Sequence, residues 1–136
     1  MAKPLQSAAA RLWPKRDKHD CGVAALASYL RRDYEEILVA ADRVQPAFWR
    51  EGLREVEYIR ICKRIGMPSA WTRTFDPDTD DGVLWVTYHD AIRHHVMLLM
   101  DGKVYDPDTN PVSVWDFDDY IRHFAAEPVM LLKEIG

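Results

Sequence analysis

The sequence predicts an α+β fold, with helices in the first half and an antiparallel sheet in the second. Three observations carry this. Apolar residues recur at helical spacing through residues 21–65. From about residue 70 the pattern changes to short β-branched and aromatic runs separated by turn residues. Asp101-Gly102 then sits between two such runs as a strong two-residue hairpin signal. Helices followed by a meander of strands is the α+β order. The 136 residues suit one unit, 1–136, able to bury a single core.

The first 18 residues read as an irregular segment, basic through Lys3, Arg11, Lys15, Arg16 and Lys18, with Pro14 ending any helical tendency. Next comes His19-Asp20-Cys21-Gly22 and an almost wholly apolar run, 23–30, broken only by Ser28. A helix apolar all round and too short to span a bilayer belongs inside a domain. Asp20 is placed to cap it by accepting from a first-turn amide. Cys21 has two readings: a small buried core residue, or a thiol whose ionised form is favoured by the helix N-terminus.

Arg31-Arg32 suits that helix's C-terminus, and 34–43 predicts a second helix with Tyr34, Ile37, Leu38 and Ala41 on one face, closed by Gln45-Pro46. Residues 51–65 predict a third, with a stripe of Leu53, Val56, Ile59, Cys62 and Ile65, which places Cys62 in the core. Gly66-Met67-Pro68 ends it. Strands are expected at 70–75, 83–88, 94–100, 103–106 and 129–133, with a turn from His89-Asp90 and the last strand entered through Pro128. Ser113 is expected to cap a helix over 113–124, with Asp116 completing a capping box.

A two-residue turn at Asp101-Gly102 pairs Met100 with Lys103 and sets Met97 opposite Asp106. Strand alternation then puts His95 and Asp106 on one face as diagonal neighbours and turns His94 the other way. A carboxylate that orients an imidazole makes a general base for a nucleophile; an ordinary strand histidine held by an aspartate is the other reading.

Several classes are set aside. The net charge of −4 gives no general attraction to nucleic acid. Two cysteines make no disulfide framework, no secretory leader is expected, and no apolar run reaches membrane-spanning length, so a cytoplasmic location is expected. His19, Cys21, His94 and His95 match no closed zinc spacing, so no metal is assigned. Asp76-x-Asp78-x-Asp80 is similar to a calcium loop, but its glycine falls one place late and Thr87 stands where the bidentate Glu belongs. Most of the five tryptophans should be core, with Trp13 and Trp49 the candidates for a substrate groove.

Asp20-Cys21-Gly22-Val23-Ala24-Ala25-Leu26 resembles the D-C-G-x-A-A/C-L nucleophile motif of C39-like peptidases, a branch of the papain-like cysteine peptidases. His95-Val96-Met97-Leu98 and Val104-Tyr105-Asp106-Pro107 resemble their histidine strand and V-x-D-P motif, and Arg64-Ile65-Gly66-Met67 their middle segment. The resemblance spans roughly residues 15–110 with the motifs in order. It implies a papain-like fold with the cysteine helix packed on an antiparallel sheet that carries His and Asp. It further implies a triad of Cys21, His95 and Asp106, no cofactor, and a peptide or protein as substrate. The family places an oxyanion-binding Gln six residues before the cysteine; here that position is Lys15, leaving the Cys21 backbone N–H with Lys15 as oxyanion donors. The expected function is therefore hydrolysis or acyl transfer at a peptide or amide bond. The alternative is a catalytically degenerate module that binds a peptide or partner protein in the same cleft.

Overall fold

A computed structural model of the protein describes residues 20–89, 91–109 and 111–135. The basic segment 1–18, with Trp13 and Lys15, lies outside the described residues, as do His19 and Asp90. Four helical segments open the described chain: α1 Cys21–Leu30, α2 Tyr34–Val44, α3 Phe48–Glu51 and α4 Glu55–Arg64. Strands β1 Ser69–Thr72, β2 Gly82–Tyr88, β3 Ala91–Met100, β4 Lys103–Asp106 and β5 Ser113–Asp116 follow, then α5 Phe117–His123 and β6 Ala126–Glu134. The strands form one antiparallel sheet in the order β1-β6-β2-β3-β4-β5. The α+β expectation is met.

The sheet has two buried faces. Val83, Trp85, Val96, Met130 and Leu132 pack beneath α1, α2 and α4. On the other face Leu84, Val86, Met97, Leu99, Val104 and Leu131 pack with Tyr120 of α5. Two layers of helix around one sheet let both strand faces be apolar, which is why 83–86 and 96–100 read as continuous apolar runs.

Helix α1 is buried along its length apart from the half-buried Cys21 and Tyr29. Ser28 is accommodated because its Oγ donates to the Ala24 carbonyl at 2.9 Å. The helix ends on Arg31, whose left-handed backbone (φ 57°) lets its N–H close onto Ala27. Gly22 is required by a different constraint: a Cβ there would overlap the Tyr58 phenol, with the ring carbons at 2.7 and 2.8 Å.

Five sequence expectations are corrected. Asp20 occupies the N-cap position, but its side chain makes no cap bond; the buried carboxylate accepts from the Tyr34 hydroxyl instead. Arg32 serves α4 rather than α1, donating to the Ile65 carbonyl at 3.1 Å and pairing with Glu36 at 2.9 Å. The helix expected over 51–65 is two pieces broken at Gly52, and the core face of α4 is Tyr58, Ile61 and Cys62, with Val56 exposed. Its N-terminus is set by Glu57, which accepts from the Arg54 backbone at 2.7 Å and from Gln45 at 2.9 Å. Burial opposes that carboxylate's charge, yet these bonds hold its pKa below the usual range. Lastly, 113–116 is a strand on β4, not the first turn of a helix; α5 starts only at Phe117. Pro128 lies inside β6 rather than before it, at a bulge where the pairing with β2 skips Val129, a position that tolerates proline.

The Gly22–Tyr58 contact yields a prediction. Gly22→Ala should destabilise the protein by about 1–3 kcal/mol, the usual cost of overpacking a core. Adding Tyr58→Leu should recover part of the loss. Urea unfolding of the single and double variants measures this, and a Gly22→Ala protein of undiminished stability would show that the phenol is not held there.

Candidate active site

The site begins with a turn. Asp101 (φ 54°) and Gly102 (φ 75°) both occupy the left-handed region, as a type I′ hairpin turn requires. That turn gives the pairs Met100–Lys103, Leu99–Val104 and Leu98–Tyr105. Continued by one step, the register sets Asp106 opposite Met97, one diagonal from His95. There the His95 Nε2 and Asp106 Oδ1 stand 2.8 Å apart, both residues buried. His94 faces the other way, stacked on Trp85 with ring centroids at 4.0 Å and planes 11° apart. Loss of water over its ring lowers its pKa, against the pull of Glu55.

With Nε2 turned to Asp106, Nδ1 is the ring nitrogen left for a second partner. Cys21, the first residue of α1, is the ring's other hydrogen-bonding and charge partner. Burial disfavours the charged ring, but the bonds and charges of Asp106 and Cys21 outweigh it and raise the His95 pKa to about 10. Cys21 is half-buried and Cys62 buried, and neither is in a disulfide. Burial pushes the Cys62 thiol up, in keeping with a core residue.

Three neighbours complete the surroundings, none of them singled out by sequence reasoning as part of a site. Tyr58 packs on Gly22 and stands edge-on to Trp71 and Trp85, with centroids at 5.6 and 6.1 Å. Tyr120 lies on the Asp106 side, joined to Tyr88 through their hydroxyls at 2.9 Å. Burial first, then the Tyr88 bond and the charges of Asp106 and Asp108, drive its pKa upward. Asp108 donates its backbone N–H to Asp106 Oδ1 at 3.0 Å, and its own Oδ2 lies 3.7 Å from His95 Nε2. The only signals in the sequence were the i, i+3, i+4 spacing of Tyr58, Ile61 and Cys62 and the Asp-x-Asp pattern at 106–108.

Other predicted groupings do not assemble. His94 and His95 project from opposite faces of β3, so among the described residues the two histidines do not converge with Cys21; His19 lies outside them. In the 76–81 loop, Asp76 and Asp80 accept backbone amides at 2.9 and 2.8 Å, while Asp80 also pairs with Lys133 at 2.8 Å. These carboxylates cap their own turn rather than converging on a cation. Of the oxyanion donors, the Cys21 N–H begins α1, and Lys15 lies outside the described residues.

The chain superposes on the peptidase domain of Streptococcus ComA, a bi-functional ABC transporter involved in a quorum-sensing pathway. The TM-score is 0.63 at 16% identity, over 91% of this chain and 96% of that one. The fold is that of the ComA peptidase domain. The Streptococcus mutans ComA peptidase domain matches likewise, with TM-score 0.56 and 15% identity over 93% of this chain and 99% of that domain. No protein-family profile and no curated protein matches the chain. The resemblance to C39 peptidases read from the motifs is thus met by the fold. The ComA domains belong to a transporter, whereas among the described residues here no helix is long and apolar enough to cross a membrane.

The His95 geometry predicts a pH dependence. Its folded-state pKa of about 10 lies above the ordinary 6.5, so the stability it contributes is complete below 6.5 and drains away as pH rises to about 10. Asp106→Asn should lower the His95 pKa by about one unit or more, the size typical of losing an adjacent opposite charge. NMR titration of the ring reads this directly, and an unmoved titration would contradict the pairing.

Proposed function

We propose that the protein is a papain-like thiol peptidase or amide hydrolase with Cys21 as nucleophile, His95 as general base and acid, and Asp106 as the residue that orients the ring. The observation that carries this reading is the single buried imidazole bonded to a carboxylate on one side and to a half-buried thiol on the other. Independent support comes from the fold shared with peptidase domains.

Chemistry follows from the atoms. His95 Nδ1 takes the Cys21 proton, and Sγ attacks the carbonyl carbon of a peptide or amide bond. The oxyanion gathers at the start of α1, where the Cys21 N–H and the helix dipole favour negative charge. Lys15 is the proposed second donor. As the C–N bond breaks, the imidazolium returns its proton to the leaving amine and a thioester remains on Cys21. Water, deprotonated by His95, then releases the acid; an amine in place of water makes the same enzyme an acyl transferase. No cofactor takes part. A reduced thiol and the absence of disulfides suit the cytoplasm.

A second reading, a peptide- or partner-binding module in the same cleft, is favoured by one feature: Lys15 stands where C39-like peptidases carry the oxyanion Gln. Losing such a donor costs about 10²–10³ in rate.

Alkylation of Cys21 separates the two. Followed against pH by mass spectrometry, Cys21 should react well below the pH of an ordinary thiol, whose pKa is about 8.5, and lose that advantage in His95→Ala. Peptide hydrolysis should vanish in Cys21→Ala. A Cys21 that titrates as a free thiol in both proteins selects the binding module.

A further inference from the structure

We propose that His95, Asp106 and Asp108 form a binding site for Zn²⁺, and that the bound ion switches off the proton chemistry of His95. The second half rests on the function proposed above; the first does not.

His95 Nε2 and one carboxylate oxygen from each aspartate lie within 4.8 Å of one another. Zn²⁺ takes imidazole nitrogen and carboxylate oxygen at about 2.0–2.2 Å, and tetrahedral geometry then sets neighbouring donors about 3.3–3.6 Å apart. The two separations from Nε2, 2.8 Å to Asp106 and 3.7 Å to Asp108, bracket that range. The third separation, between the two carboxylate oxygens, is no more than 4.8 Å, so rotation of the aspartate side chains has to close the set onto one ion. One nitrogen and two oxygens with a fourth position for water is a donor set zinc accepts. Access is provided by Asp108, whose side chain is 43% exposed while His95 and Asp106 are buried.

Two of the three ligands are already fixed. His95 and Asp106 are held by the hairpin register, and the Asp108 backbone bond to Asp106 Oδ1 sets the third carboxylate beside them. For a peptidase of this geometry a catalytic dyad needs only one carboxylate; Asp108 supplies a second, on the Nε2 side of the ring. Binding exchanges the Nε2 proton for the metal and releases that proton to solvent. The ring then carries its one remaining proton on Nδ1, facing Cys21, and has no lone pair there to accept another. An imidazole in that state cannot deprotonate the thiol, nor the water that would clear a thioester.

The test uses the full-length protein and the metal alone. Zn²⁺ is partitioned between a chromophoric chelator and the Cys21→Ser protein, which removes the accessible thiol but leaves the three ligands. One ion should bind per chain. Adding Asp108→Ala, and separately Asp108→Asn, should weaken binding at least about tenfold, the loss typical of even an outer-shell partner. Circular dichroism and thermal unfolding check that each variant is folded. Binding that disappears with Cys21→Ser, or that is indifferent to both Asp108 variants, overturns the site. In a peptide-hydrolysis assay, Zn²⁺ should stop turnover of the wild type, and Asp108→Ala should need at least about tenfold more metal. If no peptide is turned over, the hydrolase reading fails, while chelator competition still decides the site.

Discussion

Everything at the candidate site depends on a pair of left-handed residues. Asp101 and Gly102 turn the chain in two residues and thereby set the register of β3 against β4. Because side chains alternate with a period of two, a slip of one residue would move Asp106 to the opposite face and leave His95 buried without a carboxylate. The cost of that error is high: a buried polar group with no partner loses about 1–3 kcal/mol. The apolar neighbours enforce the same register, since Val104 would leave the core with Asp106 and uncover Met97 and Leu99. Turn chemistry and packing therefore specify one arrangement together, and the His95–Asp106 bond is its consequence.

The other half of the site is secured by burial rather than by pairing. Helix α1 has little choice of position, because nearly every residue from Gly22 to Leu30 lies in the core. Its axial placement is fixed at the N-terminal end by two contacts, Asp20 with the Tyr34 hydroxyl and Gly22 with the Tyr58 ring. At the far end the Tyr29 hydroxyl accepts from the Glu134 backbone at 2.8 Å, tying α1 to the last strand. The three residues Asp-Cys-Gly thus divide the labour: the first is anchored, the third admits Tyr58, and Cys21 between them stays half-buried. This gives the motif a structural reason that does not depend on what Cys21 does.

What was legible in the sequence follows from how local each signal is. The hairpin, the His95–Asp106 alignment and the buried helix could be read because two-residue turns, strand alternation and an all-apolar run act over a few neighbouring positions. The errors came where a distant partner decided the outcome. Asp20 looked like a cap, and would be one in an isolated helix, but Tyr34 offers its carboxylate a hydroxyl in a site closed to water. Ser113 with Asp116 looked like a capping box, yet β4 needed an edge partner and took 113–116 as a strand. In α4 the apolar stripe was misplaced because Gly52 interrupts the helix, shifting the face that meets α1 to Tyr58, Ile61 and Cys62. Tyr58 and Tyr120 approach the site from helices far along the chain, which no spacing near residue 21 or 95 discloses.

One feature of the topology explains how the two halves meet at all. By alternation His95 stands on the face of Met97 and Leu99, the side covered by α5, whereas α1 packs on the opposite face over Val96 and Trp85. A thiol and an imidazole on opposite sides of a continuous sheet would be kept apart by the backbone. Here the sheet is not continuous at that point: β4 pairs with β3 only from Leu98 to Met100, and His95 lies beyond the paired stretch. Cys21 is the first residue of α1, and its partner His95 lies at this strand edge. The short length of β4 is therefore part of the site. Ending that strand at Asp106 places a carboxylate at its last position and leaves His95 accessible to the helix that passes behind.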